Sequence, residues 1–173
     1  MRAGEPALTG VIILVSYLLG SVPFGFIAAR LSGIDITKQG SGSTGATNVL
    51  RTLGAAWAVP VLLLDVGKGA LSAYLGLKYL DMGPLGALAA GAAAIAGHNW
   101  SVFLRFHGGK GVAASAGVVL VAFPMVLVVG FGVFLLTVLV TRYVSLGSIL
   151  GAWAAFLFSL SPGYGWAERV PIL

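Results

Sequence analysis

No cysteine occurs among the 173 residues, which excludes disulfides, thiolate nucleophiles and cysteine-ligated metals. Charge is almost as scarce. Asp, Glu, Lys and Arg make up 9% of the chain, against roughly 25% in an ordinary soluble domain. So few charges cannot cover a water-facing surface. A soluble globule, a disordered chain and a nucleic-acid-binding domain are excluded on that ground. With only five carboxylates and two histidines, no carboxylate pair, metal cluster or Ser-His-Asp set can be assembled. An H-x-x-x-x-D pattern is missing too, since the fifth residue after His98 is Phe103. Neither a metal nor a cofactor is implied.

What is present is apolar. Hydrophobic residues reach 58%, and the mean hydropathy is +1.01. Ten basic residues against five acidic ones give a pI near 9.9. They are scattered between apolar runs instead of forming a patch, as in the loops of a membrane protein.

The runs predict an all-α, polytopic membrane helix bundle with six spans. The first extends from Ala7 to about Ala29 and contains Pro23. It continues well past the length of a signal-peptide core, so a retained helix is expected. The second covers about Ala55 to Leu80, with Asp65 and Lys68 inside it, and the third about Leu85 to Phe103. From Val112 to Val140 the chain is apolar for about 29 residues, and Pro124 divides this stretch into a short fourth helix and a fifth. The sixth covers about Leu146 to Leu160 and ends at Ser161, Pro162 and Gly163.

Charge bias places the N-terminus outside. Arg30, Lys38, Arg51, Arg105, Lys110 and Arg142 then lie on the cytoplasmic side with one acid, Asp35. Arg2, Lys78 and Arg169 fall outside, with Glu5, Asp81 and Glu168. Gly86–Ala96, and Gly147 with Gly151, supply small residues suited to close helix packing.

Two cytoplasmic segments carry the chemistry. The first, Lys38 to Arg51, holds Gly40, Ser41, Gly42, Gly45, Thr47, Asn48 and Arg51. Its glycines let the backbone approach a ligand, and successive N–H groups in such turns cradle anions. A short helix beginning near Thr47 would add its N-terminal N–H groups. Gly40, Gly42 and Gly45 also match G-x-G-x-x-G. A dinucleotide site requires a preceding strand, and here a membrane helix precedes. The second segment contains His107-Gly108-Gly109-Lys110-Gly111, a tight turn with one cation at its centre. The plain readings are a polar turn for the first and a basic interfacial anchor for the second. His98, at the end of a span, reads either as a packing residue or as a base. Asp65 and Lys68, three residues apart, read as a structural pair or as the wall of a polar cavity below the loops.

The residues Gly40-Ser41-Gly42-Ser43-Thr44-Gly45-Ala46-Thr47-Asn48, with Gly97-His98 and Phe106 to Ala113, closely resemble a known family. It is the bacterial membrane-embedded acyl-phosphate:glycerol-3-phosphate acyltransferases (PlsY type). Tyr17 to Ser21, Asp65 to Gly69 and Arg142 to Leu146 look similar as well.

The resemblance implies transfer of a fatty acyl chain from acyl phosphate to the 1-hydroxyl of glycerol 3-phosphate. The product would be lysophosphatidate, for phospholipid biosynthesis. The partners would be the two substrates and membrane lipid, without nucleic acid. The setting would be the bacterial inner membrane, with a cytoplasmic active face. Family phosphate-handling positions map onto Ser41, Thr47, Asn48 and Arg51, and onto Gly108, Gly109 and Lys110. Lys110, Arg51, Ser41 and His98 are the catalytic candidates. Gly40, Gly42, Gly45 and Gly111 join the others in substrate binding. Residues 1–173 are expected to form one acyltransferase domain, C-terminally incomplete, because the family usually carries a seventh span and a third motif with a His and an Asn.

A channel or transporter for a phosphorylated solute is the competing reading. It would use the same loops as a gate and is expected to show internal repeats and broken helices. No repeat stands out. A non-catalytic assembly partner is the other alternative.

Overall fold

The computed structural model describes residues 5–161. All regular elements among them are helical: α1 (Glu5–Ser21), α2 (Phe24–Leu31), α3 (Ala46–Leu53), α4 (Ala55–Tyr79), α5 (Pro84–Asn99), α6 (Val112–Ala122), α7 (Pro124–Thr141) and α8 (Val144–Ser159). Short 3₁₀ turns cover Ile36–Lys38 and Val102–Leu104. The chain divides into two compact units, Met1–Val121 and Ala122–Leu173.

In the first unit α5 packs against both α1 and α4. Small residues make this possible. A Cβ at Gly20 would strike the Ala94 carbonyl, and one at Gly97 would strike the carbonyl of Tyr17. Gly76 and Gly86 face each other across α4 and α5 in the same way. Gly69 on α4 meets the Ala114 carbonyl of α6. Lipid tails supply no hydrophobic drive for helix pairing, so backbone approach of this kind holds such bundles together. In the second unit Gly130 of α7 lies against Gly151 of α8, and Gly147 lies against Phe134 and Val138.

The apolar runs become helices with three differences. Pro23 breaks the first run, leaving α1 and α2 within one apolar stretch, Pro6–Leu31, of 26 residues. The third helix stops at Asn99, short of Phe103, because the chain turns at Trp100 (φ −124, ψ 68). The helix ahead of Pro124 has only 11 residues, about 16 Å at 1.5 Å per residue, which is half a hydrocarbon core. Pro124 bars helical geometry at Phe123, which lies at φ −149, ψ 69. Among the described residues, three stretches are long and apolar enough to cross a membrane: Pro6–Leu31, Ala55–Tyr79 and Pro124–Thr141. Val112–Ala122 and Val144–Ser159 are apolar but shorter. The charged residues Arg2, Glu168 and Arg169, the side chain of Glu5, and the stop at Pro162 and Gly163 lie outside the described residues.

Candidate active site

The break at Val22–Pro23 organises the polar end of the first unit. A helix interrupted by proline leaves carbonyls without intrahelical partners. Two of them are used. The Ser101 hydroxyl donates to the Ser21 carbonyl at 2.6 Å, and the Lys68 ammonium donates to the Val22 carbonyl at 2.9 Å. Tyr17 reinforces the first contact by donating its hydroxyl to the Trp100 carbonyl at 2.9 Å.

The first glycine loop folds around one side chain. Asn48 is buried, and its amide is engaged entirely by the loop's own backbone. Its Oδ1 accepts from the Ser41 N–H at 3.1 Å, and its Nδ2 donates to the carbonyls of Gln39 at 3.0 Å and Ser43 at 2.9 Å. Gly40 has φ +55 and Gly42 φ +70. A Cβ at Gly40 would fall on Asn48 Oδ1, so the tight turn and the buried amide require each other. Gly45 begins α3, and its N–H is held by Ser43 Oγ at 3.3 Å. Thr47 and Arg51 are four apart on α3 and share a face. Ser41 and Arg51 are exposed, whereas Thr47 is half-buried. At the entry to the loop, Asp35 caps the 3₁₀ turn. The Thr37 hydroxyl donates to its carboxylate at 2.7 Å and holds the Asp35 pKa below its ordinary value.

The second loop rests on the end of α5. Ser101 and His107 bridge its base. Arg105 and Phe106, between them, are both left-handed at φ 53 and φ 63. Such geometry costs roughly 1–2 kcal/mol per non-glycine residue, so the surrounding contacts must hold it. The Gly109 N–H donates to the His98 carbonyl at 3.0 Å. A Cβ at Gly109 would strike His98 Nε2, and one at Gly108 would strike the His98 carbonyl. Gly111 is left-handed at φ +76 and buried against Asn99. Lys110 is exposed.

Both loops meet the same five residues. Ser21 accepts from Ser101 of the second loop, and Gly25 lies directly against the Thr44 carbonyl of the first. Both segments therefore touch the Ser21–Gly25 stretch at one end of this unit.

The sequence pattern did not bring His98 to a carboxylate, but the structure does. His98 Nδ1 lies 3.5 Å from Asp65 Oδ1, and Lys68 Nζ lies 2.8 Å from the same oxygen. Asp65 is 1% exposed, Lys68 6% and His98 6%. A signal for this cluster was available. Ionisable groups inside a membrane must find one another or remain uncompensated, and Asp65 and Lys68 are charged residues near the middle of a span, whereas Arg30 and Lys78 lie in last turns.

Beside this cluster an apolar groove of about 260 Å³ runs between α1–α2 and α4. Leu19, Val22, Leu63, Gly67 and Leu71 line it, with Lys68 in its wall. An adjoining pocket of about 140 Å³ is lined by Phe24, Ile27, Trp57 and Pro60 among others.

Apolar helices joined by polar, cationic glycine loops define an integral membrane protein. The family model described as "Glycerol-3-phosphate acyltransferase" matches residues 10–172, and the chain belongs to that family. It is 49% identical over 146 residues to a glycerol-3-phosphate acyltransferase of Symbiobacterium thermophilum, covering 84% of this chain and 72% of the relative. It is 51% identical over 155 residues to one from Desulforamulus reducens, covering 86% and 77%. A crystal structure of PlsY (YgiH), an integral membrane glycerol 3-phosphate acyltransferase in its glycerol 3-phosphate form, superposes with a TM-score of 0.84. Its identity is 42%, over 90% of this chain and 78% of that one. The lysophosphatidic acid form of the same protein gives a TM-score of 0.81.

Proposed function

We propose that this chain transfers a fatty acyl group from acyl phosphate to the 1-hydroxyl of glycerol 3-phosphate, releasing lysophosphatidate and inorganic phosphate. The observation that carries this reading is the pairing of two glycine-rich cationic loops against Ser21–Gly25, next to a groove open to apolar chains. Membership in the family supports the acceptor. The donor rests on the chemistry of the site.

The hydroxyl oxygen forms an ester bond with the acyl carbon, and the acyl–phosphate C–O bond breaks. Phosphate leaves readily from such a mixed anhydride, so no strong general acid is needed. The difficult step is bringing two phosphate-bearing molecules together. Arg51 and Lys110 offset their repulsion, with Ser41, Thr47 and the N–H groups of Gly40, Gly108 and Gly111, while Gly42, Gly45 and Gly109 shape the turns, their N–H groups being given to the Gln39 carbonyl, Ser43 Oγ and the His98 carbonyl. Asn48 contributes by holding the first loop in shape. The departing phosphate takes the hydroxyl proton. The burial of His98 behind Gly109 supports this choice over a histidine base. The acyl tail occupies the groove beside Lys68.

The topology that fits has the N-terminus outside, in the bacterial inner membrane, with both loops cytoplasmic; of the six expected spans, Val112–Ala122 is too short to cross the hydrocarbon core by itself. Residues 1–173 belong to a single integral membrane acyltransferase domain. Purified protein supplied with palmitoyl phosphate and glycerol 3-phosphate is expected to produce lysophosphatidate, and acyl-CoA is expected not to replace the donor. Lys110→Met should abolish transfer with little change in melting. Transfer from acyl-CoA alone, or none from either donor, overturns the reading.

A further inference from the structure

We propose that Asp65 and His98 are positioning residues for the Gly108–Lys110 turn: the buried carboxylate fixes the imidazole, and the imidazole fixes the turn. This rests on the reading above that the turn holds a phosphate group.

Three observations carry it. First, the ring lies between the carboxylate and the turn. Its Nδ1 faces Asp65 at 3.5 Å, while Nε2 lies so close to Gly109 that a single methyl there is excluded. Second, the turn is bonded to the same residue, through the Gly109 N–H and the His98 carbonyl at 3.0 Å. Third, Asp65 is itself fixed. Lys68 pairs with it at 2.8 Å and donates to the Val22 carbonyl at 2.9 Å.

Val22 lies within the segment that also touches the first loop through Gly25 and Thr44. One buried network thus references both loops to the same stretch of backbone. A phosphate site made of N–H groups and a lysine depends on sub-ångström placement, which a polar turn at a membrane surface cannot keep by itself. The network provides the missing rigidity. His98 is then no proton acceptor, because the nitrogen that a base would use faces the loop backbone.

The phosphate in question belongs to glycerol 3-phosphate or to the acyl donor, and the experiment tells which. Asp65→Asn alone would leave the Lys68 cation buried and unpaired, so the informative variant is the neutral pair Asp65→Asn/Lys68→Met. Gly109→Ala disturbs the same contact from the loop side and leaves the Asp65–Lys68 pair in place. Each is expected to raise the KM of one phosphate substrate about tenfold, with kcat within a few-fold and the pH profile unchanged. Combined, they should cost little more than either alone, since both break one linkage. The substrate whose KM moves is the one held by the turn.

Three results overturn the proposal: wild-type KM values in a folded Asp65→Asn/Lys68→Met protein, effects that multiply fully in the combination, or loss of kcat with a changed acid limb. Calorimetric binding of glycerol 3-phosphate and of inorganic phosphate, without turnover, separates the two readings. If the wild type makes no lysophosphatidate yet binds phosphate, and the variants weaken that binding, the positioning role stands and the transfer reaction falls. If the wild type binds neither probe and shows no turnover, both fail.

Discussion

Asn48 shows how one residue turns a glycine-rich sequence into a defined loop. Its amide bonds the Ser41 N–H and the carbonyls of Gln39 and Ser43, adding to the turn's own bond from the Gly42 N–H to the Gln39 carbonyl at 2.9 Å. Asn48→Leu keeps the bulk and removes all three bonds, each worth about 1 kcal/mol net. The expected outcome is a lower melting temperature and a raised KM for glycerol 3-phosphate. Unaltered melting and kinetics would count against the role. Gly40→Ala adds both the left-handed strain and a collision with Asn48 Oδ1. It should destabilise by roughly 1–2 kcal/mol or more, read by thermal melting in detergent. Gly45, which is extended and where a Cβ would meet only Ser43 Oγ at an ordinary 3.6 Å, should accept alanine with a much smaller shift.

The residue types in these loops, and their cations, could be read from the sequence. The engagement of Asn48 could not. A free asparagine and one saturated by its own backbone look identical in a chain of letters, and only the closed turn decides between them. His98 gives the same lesson in reverse. It appeared without a carboxylate because Asp65 is 33 positions away, and helix packing removes that separation.

Helix starts and stops followed local chemistry closely. Pro124 ends α6, and the Gly54–Ala55 step starts α4 where the apolar pattern begins. Boundaries failed where a polar loop began with apolar letters. Val102 and Phe103 extend the third run, yet they form a 3₁₀ turn because Ser101 bonds back to Ser21. The glycines in α7 provide a test of packing at this scale. Gly130 and Gly132 are two residues apart, but a Cβ at Gly130 meets the Gly151 backbone and Ala155, whereas nothing lies near Gly132. Gly130→Val should therefore lower the melting temperature. Gly132→Ala should leave it unchanged or raise it slightly, since alanine favours a helix by up to about 1 kcal/mol. Equal effects at both positions would mean that the α7–α8 contact contributes little.

For the molecule as a whole, orientation is the property that the proposed reaction needs most, because both loops must face the cytoplasmic pool of substrate. The lack of native cysteine makes a direct measurement simple. Single substitutions Lys38→Cys and Met82→Cys introduce one thiol each, at exposed positions. A membrane-impermeant maleimide should label Met82→Cys on intact cells, and Lys38→Cys only in inverted vesicles. The opposite pattern would invert the topology. The groove has its own test at this scale. Gly67→Phe fills part of its wall and should raise the KM for long-chain acyl phosphate far more than for short-chain donors. The KM for glycerol 3-phosphate should stay unchanged.

The order of residues alone set the solvent in which this protein lives, the helical character of its runs and the polar, cationic make-up of its loops. Hydropathy, proline and glycine act locally, so their consequences follow from the order of residues. Tertiary structure decided which groups meet. The break at Pro23 released two carbonyls, and residues from α4 and from the second loop claimed them. Asp65, Lys68 and His98 came together because isolated charge is unstable inside a bundle. Those meetings depend on packing across three helices, which no local pattern encodes.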